Sequence, residues 1–287
     1  MQLDLFMHGR NIMLQNDVVA ALRERDVFAG RQAFAVFAAE FPDQEILTPL
    51  TTLLNTLDAP AERFADHKRV ASALHAMDTE VVRAANRVFG INEAGAWLAP
   101  VWLSLANAAA GLPFNVEKPN THAAFLLLQS GDWAAAEAEV AGIPSWRRIP
   151  TTLAWMAQAR FYRGGLECAW YLLTELAWID ARAFSLLARQ LKAPSLHKLL
   201  NEFDAAFEDD EPDRAWFPAW LLITKPAMAL VVRETQTCNN HAPEQVAHLI
   251  MELLILEKQG RHADLVAQRK RLRDLHPELY AFYMSSR

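Results

Sequence analysis

The stretch FLLLQSGDWAAA, residues 125–136, contains the pattern that decides the fold. An apolar run ends at Ser130-Gly131, and a run of small residues follows Trp133. This order predicts two helices joined by a tight turn, because glycine readily adopts the left-handed backbone conformation that ends a helix. One helical hairpin cannot bury its apolar face alone, so other hairpins must pack against it.

A similar arrangement occurs twice more in the chain. Residues 253–265, LLILEKQGRHADL, and residues 159–170, ARFYRGGLECAW, place an apolar segment before glycine and small or apolar residues after it. The three turns resemble the junction between the two helices of a tetratricopeptide unit. The Trp and Leu-Gly-Tyr residues typical of the first helix of that unit are missing, and the spacing is irregular rather than about 34 residues. The resemblance implies a superhelix whose concave face receives a partner protein.

Helical periodicity extends over most of the chain, and two-residue alternation is nearly absent. Asn16-Asp17 predicts the cap of a first helix from Val18. Two further helices are expected around residues 34–41 and 43–57. The remaining predicted helices are 62–76, 78–89, 92–110, 121–129, 132–141, 150–162, 166–178, 180–191, 195–207, 243–258 and 261–275. The sequence therefore predicts an all-α fold, an irregular array of antiparallel helix hairpins that forms a tetratricopeptide-like superhelix.

The sequence predicts two boundaries along the chain. Residues 1–10 form an N-terminal segment that could act as a linear motif, and residues 11–287 form the helical repeat-like domain. Within that domain an internal boundary is expected at 111–120, where two prolines occur.

Composition and charge exclude several classes of protein. Apolar residues make up 52% and charged residues 22%, which is typical of a globular chain. A net charge of −6 argues against direct nucleic-acid binding, because phosphate contacts need clustered Lys and Arg. The run Arg261, Arg269, Lys270, Arg271 and Arg273 is expected to be a solvated helix face, with RNA or DNA contact as the alternative.

The uncharged stretch 94–116 is a candidate for a membrane-spanning helix. It is long enough to cross a hydrocarbon core of about 30 Å. Its alanines, Pro100 and the break Gly111-Leu112-Pro113 favour a buried central helix instead, so we expect no membrane contact. The two cysteines, Cys168 and Cys238, show no metal-binding spacing and are expected to be buried or inert thiols. With no signal-peptide pattern, these features predict a cytoplasmic protein.

The N-terminal string Gln2-Leu3-Asp4-Leu5-Phe6 is the most specific short motif. It resembles the pentapeptide by which many bacterial replication and repair proteins dock onto the sliding clamp, and all five positions match. The resemblance implies that Leu5 and Phe6 enter an apolar pocket, that Leu3 lies at its edge, and that Gln2 hydrogen-bonds at a second subsite. The alternative is that the apolar residues of this string pack the N-terminus onto the first hairpin.

The acidic segment Glu208–Asp213 contains an Asp-Asp-x-x-Asp pattern. It resembles the magnesium-binding string of all-helical isoprenoid synthases, which requires carboxylates that project together from a helix. Pro212 interrupts such a helix, and a second acidic ligand set is missing. A solvated loop is expected. The alternative function is a magnesium-dependent enzyme that acts on an isoprenoid diphosphate.

No other pattern points to catalysis. The nine histidines form no metal-binding pair, and neither a nucleophile elbow nor a phosphate-binding loop occurs. We therefore expect no catalytic residues, no metal, no cofactor and no small-molecule substrate. Tryptophans at core-like spacing are expected to be buried, namely Trp97, Trp102, Trp155, Trp170 and Trp178. Those near turns are candidates for exposed binding positions, namely Trp133, Trp146, Trp216 and Trp220. The predicted function is a non-enzymatic scaffold or adaptor with a protein partner, docked on the sliding clamp through Gln2–Phe6.

Overall fold

Helices and the turns between them account for the architecture of the computed structural model. It describes residues 2–59, 62–207, 213–236 and 241–287, with the backbone alone at 2–8, 230 and 231. No β-strand occurs among these residues, so the predicted all-α fold is confirmed. The helices pack against one another in a way compatible with a helical-repeat fold. The chain divides into two compact units, Met1–Ala135 and Ala136–Arg287, so the boundary predicted at 111–120 lies inside the first.

Unit 1 begins with a long helical hairpin. Its helices are α1 (Gln2–Glu24), α2 (Val27–Glu40), α3 (Leu47–Asp58), α4 (His67–Ala76), α5 (Val82–Phe89), α6 (Ile91–Ala109) and α7 (Ala123–Ser130), and α8 (Trp133–Ala141) spans the boundary between the units. Only Arg25 and Asp26 connect α1 to α2, and these two helices pack closely. Asp26 caps α2 by accepting the N–H of Ala29 at 2.9 Å. Such a short connection makes the two helices antiparallel neighbours.

Unit 2 contains the remaining helices. They are α9 (Pro150–Ile179), α10 (Ala181–Gln190), α11 (Pro194–Ala206), α12 (Phe217–Thr224), α13 (Ala229–Val232), α14 (Ala242–Gln259), α15 (His262–Leu275) and α16 (Pro277–Ser285). Its core contains an aromatic cluster in which Phe217 lies 5.6 Å from Phe203 and 6.0 Å from Trp220, measured between ring centroids. Trp170 stacks on Phe217 at 6.4 Å.

Two of the three glycine turns have the predicted form. Gly131 and Gly260 both adopt left-handed backbone conformations, with φ of 80° and 68°. The next N–H in each turn donates back to the last helical turn, from Asp132 to Leu127 at 3.1 Å and from Arg261 to Leu256 at 3.2 Å. This shared pattern ends α7 and α14 in the same way. The third turn also breaks the helix, because the non-helical Gly165 divides α9 into two helical segments, but its φ of 77° and ψ of −174° lie outside the left-handed helical conformation.

Several sequence predictions need correction. α1 runs unbroken past Asn16-Asp17, since Leu14, Val18 and Leu22 form one buried stripe along it. α16, which begins at Pro277, was not expected. Cys168 is exposed beside the kink of α9 rather than buried.

The five tryptophans assigned to the core are buried, as predicted, whereas Trp220 is 2% exposed and cannot be a surface contact. Cys238 lies outside the described residues. The stretch 94–116 forms most of α6, and among the described helices none is long and apolar enough to span a bilayer.

Candidate binding sites

The predicted clamp-binding pentapeptide forms the first turns of α1. The backbone of Gln2–Phe6 is helical, and its side chains lie outside the described residues. Adjacent side chains on a helix diverge by about 100°, whereas the resemblance implies that Leu5 and Phe6 share one pocket. Docking therefore requires a non-helical backbone over these residues. Gly9 follows closely in α1 and weakens the helix there, because glycine in a helix costs about 1 kcal/mol relative to alanine.

Several apolar side chains of the first hairpin are exposed. Ile12 and Met13 of α1 and Val36 of α2 are each 46% exposed, and Phe28 is 73% exposed. Two charged residues beside them are paired, since Arg10 donates to Glu40 at 2.8 Å.

Unit 1 contains a cavity of about 510 Å³. The segment after α1, the C-terminal end of α3, residues 62–64, α4 and α6 surround it. Its apolar lining is formed by Leu57, Phe64, Met77, Val81, Val101 and Leu105. Its charged lining is formed by Glu62, Arg25, Arg63 and Arg69. A cavity of this size and mixed lining is typical of small-ligand sites.

Backbone irregularities surround the same cavity. Met77–Val81 form a π-helical turn between α4 and α5, in which the N–H of Val82 donates to the carbonyl of Met77. Pro100 lies inside α6 and removes one helical hydrogen bond. Arg25 adopts a left-handed conformation with φ of 57°, which is unfavourable for a residue with a Cβ. π-Turns and strained residues occur frequently at functional sites.

Arg25 is held across the turn between α1 and α2. Its guanidinium donates to the carbonyl of Trp97 and lies 5.2 Å from the centre of the Trp97 ring. The indole N–H of Trp97 donates back to the carbonyl of Leu22 at 2.8 Å. Burial lowers the pKa of Arg25. No carboxylate among the described residues forms an ion pair with this side chain.

Unit 2 contains a buried ion pair that sequence reasoning missed. The Glu175 side chain is fully buried, and Arg147 donates to it from Nε at 2.7 Å and from Nη2 at 2.6 Å. The backbone N–H of Gln236 also donates to Glu175, at 2.8 Å. These contacts connect three separate segments of unit 2, and the Arg147–Glu175 separation of 28 residues left no local pattern to detect.

A second acidic residue of unit 2 is also buried. Glu244 of α14 is 1% exposed, and its Oε1 lies 4.0 Å from Nε2 of His248 one turn later. The His248 ring lies 5.7 Å from the ring of Trp178. Neither His248 Nε2 nor Trp178 Nε1 has a hydrogen-bond partner among the described residues. The spacing of four residues on a predicted helix was the signal for this pair.

The metal-binding alternative rests on an acidic segment of which the structure describes Asp213 alone. Glu208–Pro212 lie outside the described residues. Asp213 accepts the N–H of Ala215 at 2.9 Å and so caps a short 3-10 turn. In the part of the chain that the structure describes, no three His, Cys, Asp or Glu side chains are grouped to hold a metal ion.

The basic run of the last helices is largely paired. Arg261 contacts Asp264 at 2.5 Å, and Arg269 contacts Glu257 at 3.3 Å. Arg273 lies 3.7 Å from Asp274. Lys270 and Arg271 are exposed. This arrangement fits the solvated helix face that the sequence predicted.

Comparison with protein-family models, with curated proteins and with solved structures gave no match.

Proposed function

We propose that the chain is a non-enzymatic adaptor with a tetratricopeptide-like body, which docks on the bacterial sliding clamp through Gln2–Phe6 in DNA replication or repair. The observation that carries this proposal is that all five positions of Gln2–Phe6 match the clamp-binding pentapeptide. In this proposal the clamp contact also includes Ile12 and Met13 of α1, which are each 46% exposed. The rest of the helical body remains available to bind a second protein.

Docking changes the start of α1 in this proposal. Because Leu5 and Phe6 enter one pocket, the first turns of the helix unwind up to Gly9, where helix propensity is weakest. A Cβ added at Gly9 meets no atom within 4 Å. Gly9→Ala therefore strengthens the helix without a steric clash, and we expect it to weaken clamp binding by about fivefold, from about 1 kcal/mol of added helix stability.

The test is binding of the purified chain to a bacterial sliding clamp, measured by surface plasmon resonance. We expect Leu5→Ala with Phe6→Ala to abolish micromolar binding. Ile12→Ser with Met13→Ser should weaken it by about tenfold, because both side chains lose part of their apolar burial against the clamp. Val266→Ser is the matched control, since Val266 is 69% exposed on α15 and its loss should leave binding unchanged.

Deletion of residues 1–7 distinguishes clamp docking by the pentapeptide from packing of the pentapeptide onto the first hairpin. We expect the truncated chain to keep its melting temperature and to lose clamp binding. Clamp binding that persists in a folded Leu5→Ala, Phe6→Ala variant would overturn the proposal. A large loss of stability on deletion would instead show that the pentapeptide packs the N-terminus onto the first hairpin.

A further inference from the structure

We propose that the cavity of unit 1 binds a small amphipathic anion, that is, an alkyl or aryl body that ends in a carboxylate or a similar oxyanion. This site is separate from clamp docking, because none of its lining residues belongs to Gln2–Glu24. Three features of the cavity carry the inference: its two-part lining, the uncompensated charge of Arg25, and the irregular backbone that shapes it.

The apolar part of the lining would hold the body of the ligand. Met77 is 4% exposed and Val81 is 8% exposed, so both side chains form a largely buried wall. Leu57, Val101 and Leu105 complete it from α3 and α6. The volume of about 510 Å³ lies within the range of about 300–1,000 Å³ that small-ligand pockets occupy. An apolar chain that binds here transfers its surface out of water, and this transfer favours binding.

The positive charge of Arg25 lacks a counter-ion within the described part of the protein. Its guanidinium is partly buried against Trp97 and donates to the carbonyl of that residue. A carbonyl and an aromatic ring stabilise the cation only partially, because a buried charge is costly unless an opposite charge accompanies it. A ligand oxyanion in the cavity would supply that charge.

Two further arginines add to the positive charge of the cavity. Arg63 and Arg69 line it, both are exposed, and neither forms an ion pair with a described carboxylate. Glu62 is the acidic residue among the lining residues. Arginine is suited to this role, because its planar guanidinium binds a carboxylate or phosphate through two parallel hydrogen bonds.

The irregular backbone explains how a cavity persists between packed helices. The π-turn at Met77–Val81 and Pro100 inside α6 both interrupt regular helix geometry in elements that line the cavity. Regularly packed helices leave few voids larger than a water molecule, so a cavity of this size requires a local departure from regular packing. Arg25, which also lines the cavity, adds a third irregularity, because its φ of 57° is unfavourable for a residue with a Cβ. Their convergence at one cavity is the arrangement expected of a ligand site.

The test uses anilinonaphthalene sulfonate, a fluorescent amphipathic anion, titrated into the full-length chain at neutral pH. We expect saturable binding at one site. Arg63→Gln with Arg69→Gln should raise the dissociation constant by about tenfold, the effect of losing charge-assisted hydrogen bonds. The matched control is Lys68→Gln with Arg83→Gln, which removes the same charge from exposed positions outside the cavity lining and should change binding by less than about twofold.

Competition then identifies the chemistry of the ligand. Decanoate should displace the dye, and decanol, which has the same chain without the charge, should require about ten times the concentration. Equal dye binding by the Arg63→Gln, Arg69→Gln variant and the original chain would overturn the proposal, as would equal displacement by decanol. The Leu5→Ala, Phe6→Ala variant should bind the dye normally, so failure of clamp docking and failure of this site can be distinguished.

Discussion

We expect Arg147→Met to destabilise unit 2 by about 3–5 kcal/mol, because it leaves the carboxylate of Glu175 buried without its counter-ion. Glu175 is fully buried and loses two charge-assisted hydrogen bonds, of 2.6 and 2.7 Å. At about 1.5–3 kcal/mol for each such bond, their sum agrees with that range. For a unit of about 150 residues the melting temperature should fall by about 10 °C, which scanning calorimetry measures.

Two variants control this prediction. Lys198→Met removes an exposed ion pair of unit 2, in which Lys198 lies 3.7 Å from Glu202, and should cost less than about 1 kcal/mol. Arg147→Met combined with Glu175→Leu removes both charges, so it should recover much of the loss of the single variant. If Arg147→Met lowers the free energy of unfolding by less than about 1 kcal/mol, as expected for Lys198→Met, the argument is refuted. The buried carboxylate of Glu175 would then not need Arg147 as its counter-ion.

Two further predictions concern unit 1. Gly30→Ala should have a net cost of about 1 kcal/mol in urea unfolding, because its Cβ would lie 2.7 Å from Cδ2 of the buried Leu54, and this overpacking outweighs the gain of about 1 kcal/mol in helix propensity. An unchanged midpoint would mean that Leu54 adjusts freely. The pKa of His122 is lowered first by burial and second by His67, and its neutral ring accepts the N–H of Ala124 at 3.2 Å. The stability that depends on the neutral ring is complete above the unfolded pKa of about 6.5 and falls as the pH decreases below that value. His122→Asn keeps a hydrogen-bond acceptor but does not titrate, so this variant should lose less melting temperature than the original chain between about pH 7.5 and pH 5.5. An identical loss in both proteins would contradict this assignment.

Local signals in the sequence were sufficient for most helices and for two of their turns. Gly131 and Gly260 end helices as predicted, because the left-handed conformation at a helix end is a property of glycine itself. Proline was less informative. The expected helices end at residue 275, yet Pro277 begins a further helix, since proline is suited to the first turn of a helix. His276 caps that helix by accepting the N–H of Leu279 at 3.2 Å.

Features that depend on distant residues were missed. Nothing in the local sequence of Arg147 indicates that Glu175 is its partner. The same holds for Trp220, whose position near a turn suggested exposure, although Phe203 and Phe282 pack against it. Periodicity states which face of a helix is apolar, but the neighbouring elements decide whether a residue at the end of that face is covered.

The sequence by itself determined that the chain is a set of helical hairpins, because apolar periodicity and glycine turns are local properties of the polypeptide. It also determined the residues of the proposed clamp motif, Gln2–Phe6, since a linear motif needs no tertiary context. Only the tertiary structure decided the position of the cavity. The segment after α1, the π-turn and α6 at Pro100 meet there, and the arginines that line it are separated by up to 44 positions, from Arg25 to Arg69. Residues so distant in sequence become one site only when packing brings them together.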